Sequence, residues 1–157
     1  MKPLYDNCTG RLAVPKTEVG YSRNGDILEF VFIAHDSSLE SYSNVKNSDL
    51  WKSNAVEVFL DFKDRRFYYE FEVAPNGTTF VAQKYKNKLV FVDDSFFSAD
   101  VNIDGSDYIV KMKINIKMLG KKDVFAFNMF RIEGPTLEAL HPTLCDTFHV
   151  REKFIKF

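Results

Sequence analysis

The stretch Ala55-Val56-Glu57-Val58-Phe59-Leu60-Asp61-Phe62 decides the fold class. Its even positions, Val56, Val58, Leu60 and Phe62, are all apolar, while the odd positions mix Ala55 and Phe59 with Glu57 and Asp61. A period of two belongs to a β-strand, whose successive side chains point to opposite faces. One face therefore reads as core and the other as amphipathic. The next segment repeats the design: Tyr69, Phe71 and Val73 alternate with Tyr68, Glu70 and Glu72. Pro75-Asn76-Gly77 then supplies a turn, because Asn-Gly accepts the positive φ angles of a tight hairpin. A further strand is expected from Thr78 to Gln83.

Working outward, Ile27 to Ala34 is a nearly continuous apolar run, as in a strand covered on both faces. Phe97 to Ile103 and Tyr108 to Ile116 flank Asp104-Gly105-Ser106-Asp107, a second hairpin signal. Phe125 to Ile132 forms another strand, closed by Gly134-Pro135. Only Leu39 to Trp51 and the region around Glu138 are left for short helical turns. Many short strands separated by turn residues predict an all-β, antiparallel two-sheet β-sandwich of the jelly-roll or immunoglobulin-like kind. With no repeat, low-complexity segment or Pro/Gly-rich linker, residues 1–157 read as one domain.

Composition agrees with that reading. Phenylalanine is the commonest of the 157 residues with 16 copies, and the chain is 15% aromatic. Aromatic side chains lose freedom in helices and fit pleated surfaces, so an all-helical bundle is disfavoured. A hydrophobic content of 45% excludes disorder. The balance of 21 Lys+Arg against 22 Asp+Glu offers no basic surplus for nucleic acid and no acidic tail. No apolar run approaches the roughly 18 residues of a membrane span, and Met1 to Asp6 contains no apolar leader core. The expected location on that ground is the cytoplasm. Cys8 and Cys145 are too few for a disulfide scaffold and lack CxxC spacing. Two unpaired thiols are expected, with a bridge joining the chain ends as the alternative.

The candidate chemistry is uneven in strength. Asp100-x-Asn102-x-Asp104-Gly105 matches the opening of a calcium loop, but the position that needs a bidentate carboxylate is Lys111. A plain hairpin is the better reading, and no cofactor is expected; calcium in another loop, for example through Asp93-Asp94, is the alternative. His35, His141 and His149 have no metal-ligand spacing, and no Ser or Cys sits in a nucleophile elbow. Glu57, Asp61, Glu70 and Glu72 could pair carboxyl groups as glycoside hydrolysis requires. Acidic residues alternating along a strand more often mark a solvated sheet face. Trp51 is the sharper signal, since the only tryptophan lies in the polar stretch Asn47-Ser48-Asp49-Leu50-Trp51-Lys52-Ser53-Asn54. An exposed indole beside carboxylates and amides suits a sugar, whose C–H face packs on the ring while polar groups bond its hydroxyls. The competing reading is a rim residue folded back to seal the sandwich edge.

These residues together resemble the family 9 carbohydrate-binding modules, most of all their stand-alone family 9-like branch. The resemblance is carried by Leu50-Trp51-x-x-x-Ala55-Val56-Glu57-Val58-Phe59-Leu60-Asp61 and by Tyr68-Tyr69-Glu70-Phe71-Glu72-Val73-x-Pro75-x-Gly77. The tail adds Arg131-Ile132-Glu133-Gly134, Leu140-His141-Pro142-Thr143 and Asp146-Thr147-Phe148-His149-Val150-Arg151-Glu152-x-Phe154. The resemblance implies a sandwich that binds an oligo- or polysaccharide without cleaving it, a role that often goes with export. It also implies no nucleic-acid or membrane partner and leaves the oligomeric state open. Trp51 matches the family's first stacking tryptophan and Glu57 a polar partner. There is no second tryptophan; His141 or Phe148 stands in that region. Glu70 or Glu72 replaces the arginine that contacts sugar in xylanase-attached members, Asn54 replaces an Asp, and Arg151 a Pro. The expected ligand-binding set is thus Trp51 for stacking, with Glu57, Glu70, Asn128, Arg131 and His141 for hydrogen bonding. Asn128 and Arg131 are three apart on one strand, so at most one of them can line the site. A small glycoside-active enzyme using Glu57 with Glu70 or Glu72, or a sandwich that has lost its sugar site and serves protein contacts, are the alternatives.

Overall fold

A computed structural model describes residues 1–157 apart from Pro15, Asp36 and Arg65. Two antiparallel sheets face one another. The first runs β1 (Lys2–Pro3), β3 (Thr17–Asn24), β4 (Ile27–Ala34), β10 (Asp107–Asn115), β9 (Phe97–Asp104). The second runs β2 (Tyr5–Asp6), β12 (Thr136–Ala139), β11 (Val124–Glu133), β5 (Ala55–Phe62), β6 (Tyr68–Val73), β7 (Thr79–Tyr85), β8 (Lys88–Phe91). This is the expected two-sheet sandwich. The even residues of β5 meet Phe71 and Val73 of β6, Phe30 and Phe32 of β4, and Met112 and Ile114 of β10 in one buried cluster between the sheets. Each fully buried Phe of this kind contributes roughly 1.5–3 kcal/mol relative to exposure.

Both expected hairpins form. Gly77 (φ +83) closes the β6–β7 turn, where its N–H donates to the Ala74 carbonyl at 2.9 Å. The Asp104–Asp107 turn joins β9 to β10 as the plain hairpin expected there. Three expectations need correction. The region around Glu138 is strand β12 rather than a helical turn: the β11–β12 hairpin turns at Gly134 (φ +55), and Glu138 pairs in register with Arg131. Pairing to a neighbouring strand outweighs the helix preference of Leu, Glu and Ala. In β4, every second residue is fully buried and the others only half-buried, so this strand has one covered face. In β5 the departure runs the other way, and both faces are buried along its whole length. Strand β3 reads TEVGYSRN, with too few bulky apolar residues for a periodicity reading to expose it.

The cover over the outer face of β5 comes from distant segments. Phe148 and Phe154 of the tail join Phe59, Tyr68, Phe130 and Ile132 in a second apolar cluster on that face. The tail is pinned beside them by a backbone exchange between Ile155 and Phe127. Leu50 fills a third, smaller cluster with Ala55, Ala74, Phe80 and Ala82.

Candidate functional site

The same covering segments leave a cleft open on the outer face of the seven-stranded sheet. Its volume is about 400 Å³. Glu57 of β5 and Glu70 of β6 border it with Ile132 of β11 and Phe80 and Lys84 of β7; Trp51 lines it on one side, and Asp146 to His149 on another. Leu50 and Trp51 belong to a single 3₁₀ turn, Leu50–Lys52. Leu50 is fully buried and anchors the turn, so the adjacent indole is displayed at the rim with 50% of its surface exposed. Trp51 therefore does not seal the sandwich edge. The Lys52 ammonium lies 5.5 Å from the indole centroid and is held by Asp49 at 2.7 Å, a cation–π contact that steadies the ring.

The opposite wall is built from the tail. Thr143 starts it: the buried Asn7 side chain donates to Thr143 Oγ1 at 2.7 Å and accepts from its backbone N–H at 2.9 Å. Thr143 Oγ1 in turn donates to the Thr147 carbonyl at 2.7 Å. Phe148 is only 6% exposed and stacks on Phe130 at 4.2 Å, so one of its faces is already occupied. His149 stacks on Phe59 at 5.2 Å, and its Nδ1 is 2.7 Å from the Tyr68 hydroxyl. Burial against these rings, with Lys84 nearby, pushes the imidazole down to about 4. Burial and the Glu70 charge push the Tyr68 phenol up, so it stays protonated. The hydroxyl is thereby assigned as donor to Nδ1, which leaves Nε2 as an N–H donor. Both cysteines are free thiols, and Cys8 Sγ donates to the Cys145 carbonyl at 3.1 Å beneath this wall.

The acidic residues are the unexpected feature. The alternation predicts a solvated face, yet Glu57, Asp61, Glu70 and Glu72 are all buried. Glu57 stands directly across from Glu72 in the β5–β6 register, and Glu70 lies two residues along on the same face. Among the described residues these three form the one group of potential metal-ligating side chains, with ligand oxygens all within 4.8 Å of one another. Burial raises the Glu57 carboxyl well above its ordinary value, the Glu70 charge adds to this, and Lys84 opposes it. Glu72 is raised well above it too, by burial and then by Glu57 and Glu70. Burial also raises Glu70, against the pull of Lys84. Asp61 is different: the Arg151 guanidinium grips it, with Nε at 2.7 Å from Oδ2 and a second bond from Nη2 to Oδ1.

Of the six residues expected to bind, the fold brings Trp51, Glu57 and Glu70 to the cleft. Asn128, Arg131 and His141 do not line it. Asn128 and Arg131 do point to opposite faces. Arg131 enters the space between the sheets, where Nη1 donates to Thr17 Oγ1 at 2.8 Å and lies 3.6 Å from Glu138. Asn128 spends its amide on the His141 backbone, donating to the carbonyl at 2.8 Å and accepting from the N–H at 3.1 Å. His141 Nδ1 is engaged by the Lys153 carbonyl at 3.0 Å. Among the described residues Asp93 and Asp94 belong to no ligand cluster; Asp94 pairs with Lys46 at 2.7 Å, and Asp93 accepts from the Ser95 N–H. Lys84 and His149 are lining residues that the sequence did not single out. The alternation Phe80, Ala82, Lys84 could have pointed to the first, once β7 is placed beside β6.

No family model matches the sequence, and no curated protein does. Among solved structures, a candidate carbohydrate-binding protein from Bacteroides uniformis is similar over 98% of this chain and 83% of its own, with a TM-score of 0.82 and 14% identity. A family 9 carbohydrate-binding module from Caldicellulosiruptor kristjanssonii in complex with glucose matches 88% of this chain and 73% of its own, at TM-score 0.62 and 14% identity. A family 9 module from the same organism in complex with cellotriose gives 82% and 68%, at 0.59 and 15%. These likenesses establish the sandwich.

Proposed function

We propose that the chain is a carbohydrate-binding domain that holds a saccharide in the cleft beside Trp51 without cleaving it. One convergence carries the reading: an exposed indole, buried carboxylates and a loop rich in polar groups border a single cleft. A pyranose offers an apolar C–H face and a polar edge, and this cleft offers a complement to each. Trp51 is the stacking platform. Glu57 and Glu70 accept from sugar hydroxyls, or donate when protonated, while Lys84 and His149 Nε2 donate. Asn128 and His141 are positioning residues that fix the tail, and Arg131 braces the two sheets. Phe148 closes the far wall by its edge. That modules of the same fold were solved in complex with glucose and cellotriose supports an oligo- or polysaccharide as partner.

The test uses the single tryptophan. Titration with a broad panel of neutral and acidic oligosaccharides is expected to give saturable quenching of Trp51 fluorescence for at least one of them. Silence across the panel sinks the reading. The enzymatic alternative asks for two carboxyl groups about 5–9.5 Å apart, one of them ionised. Here burial pushes all three carboxyls toward protonation, which leaves none of them held ionised, so binding is favoured. Turnover of a chromogenic glycoside that Glu57→Gln abolishes without unfolding would reverse that preference.

A further inference from the structure

The seven-stranded sheet buries five carboxylates, and it treats them in two ways. Asp61 is held by Arg151, and Glu138, though neither of its oxygens has a hydrogen-bond partner, has the guanidinium of Arg131 at 3.6 Å. Glu57, Glu70 and Glu72 have no such cation: among the described residues, none of the three has a Lys or Arg within salt-bridge distance. They are 2%, 5% and 0% exposed. Oε1 of Glu57, Oε2 of Glu70 and both oxygens of Glu72 accept from no other side chain or backbone group, and Glu70 and Glu72 stand close enough to share a proton in a carboxyl–carboxylate hydrogen bond. A carboxylate set directly across from a carboxylate in an antiparallel pair is repulsive, and burying unpaired charge is costly. Lys84, facing β6 at the Tyr68 position, acts on Glu57 and Glu70 from a distance. Glu72 sits beyond them, away from the cleft, with both oxygens unpartnered and within 4.8 Å of the other two carboxyl groups.

We propose that Glu57, Glu70 and Glu72 bind one hard divalent cation, of the calcium or manganese type, on the outer face of β5 and β6 beneath the cleft. The spacing suits a shared ion. Three oxygens that each lie about 2.4 Å from one cation can all be no more than about 4.2 Å apart; one oxygen from each carboxyl group lies within 4.8 Å of the others, so the trio stands near that spacing. The donor set is all oxygen and all carboxylate, which selects hard ions over zinc or copper, whose sites draw on imidazole and thiolate. The ion replaces the missing guanidinium and relieves the Glu57–Glu72 opposition. Three carboxylates leave some of its coordination positions to water. The ion would share Glu57 and Glu70 with the proposed saccharide cleft, whereas Glu72 does not line that cleft, so its loss tests the ion alone.

The experiment uses the metal without any sugar. The full chain is stripped with a chelator, dialysed at pH 7.5, and titrated with calcium chloride or manganese chloride. Melting temperature, calorimetric heat and, for manganese, loss of the free-ion electron spin resonance signal are followed. One saturable site is expected, with a rise in Tm of about 5–10 °C at a hundredfold excess over Kd. Glu72→Gln removes one ligand but leaves the cleft lining intact. It is expected to fold, to melt no lower than the metal-free wild type, and to lose the cation response. Absence of heat, of resonance loss and of any Tm shift in the wild type would overturn the proposal. So would an unchanged response in Glu72→Gln, because the ion would then bind elsewhere.

Discussion

The two outer faces of the sandwich each carry charged residues at strand centres and end in opposite environments. On the five-stranded sheet, Glu29 of β4 stands across from Lys113 of β10, and the pair lies 3.6 Å apart with both side chains about half exposed. On the seven-stranded sheet, Glu57 of β5 stands across from Glu72 of β6, and neither meets solvent. β5 and β6 alternate apolar residues with carboxylates, whereas β4 carries the single carboxylate Glu29 and β10 presents Lys111 and Lys113. The difference comes from the tail and the Leu50–Lys52 turn, which fold over one face and leave the other bare. Alternation identifies which residues share a face; whether water reaches that face is decided by chain far away.

The largest test of this contrast is a pair of truncations. Phe59 is fully buried on the covered face among Phe130, Tyr68 and Phe154. Phe59→Ala is expected to cost about 3–5 kcal/mol, a drop in Tm on the order of 10 °C for a chain of this length. Val31 occupies a half-buried outward position on β4, and Val31→Ala should cost well under half as much. Equal losses in denaturant melts would mean that the two faces are covered alike.

The second test compares charges. Arg151→Ala removes the guanidinium from the buried Asp61 and is expected to cost about 1–3 kcal/mol. Lys113→Ala removes one member of a solvated pair and should cost about 0.5 kcal/mol or less. Raising salt to 1 M should shrink the Lys113 effect and leave the Arg151 effect largely in place, since exposed pairs are the ones ions screen.

The core face of β5, the two turns and the two-sheet architecture were legible because each is written within a few neighbouring residues. Trp51 was legible as an anomaly, an indole in a polar stretch. The burial of Glu57 and Glu72 was not, because their cover consists of Leu50 on one side and Phe148 and Phe154 more than seventy positions away on the other. The same distance hid His149, whose place in the cleft depends on Asn7 holding Thr143. Arg131 misled for a related reason: a charged residue on a strand suggests an exposed site, whereas here it bonds Thr17 and Glu133 and stands 3.6 Å from Glu138 between the sheets.

The third test is pH. The unfolded glutamates titrate near 4.5, and the folded ones are raised above that by burial. Their contribution to stability is therefore full below about pH 4.5 and is lost as pH rises through the raised values. His149 works in the other direction. Its unfolded value is 6.5 and its folded value about 4, so its contribution is present above 6.5 and lost as pH falls toward 4. The metal-free chain should accordingly lose stability as pH rises through the raised glutamate values, and Glu72→Gln should flatten that decline. A decline that survives both Glu72→Gln and Glu57→Gln would assign it to other groups.

The smallest expected effect on stability falls on the residue with the largest expected effect on binding. Trp51 is half exposed, and its turn is anchored by Leu50 rather than by the indole. Trp51→Ala should therefore change stability by no more than about 0.5 kcal/mol, while Leu50→Ala costs about 2–4 kcal/mol for an emptied apolar site. The neighbouring Lys52 adds at most a weak cation–π contact at 5.5 Å, which Trp51→Phe should largely keep. If Trp51→Ala destabilises as strongly as Leu50→Ala, the indole is part of the cover and the cleft is a sealed seam. If stability holds while calorimetric binding of the responsive oligosaccharide disappears, the ring is a platform presented to solvent. In that case the covered face differs from the bare one in a second respect: its cover is open at one rim.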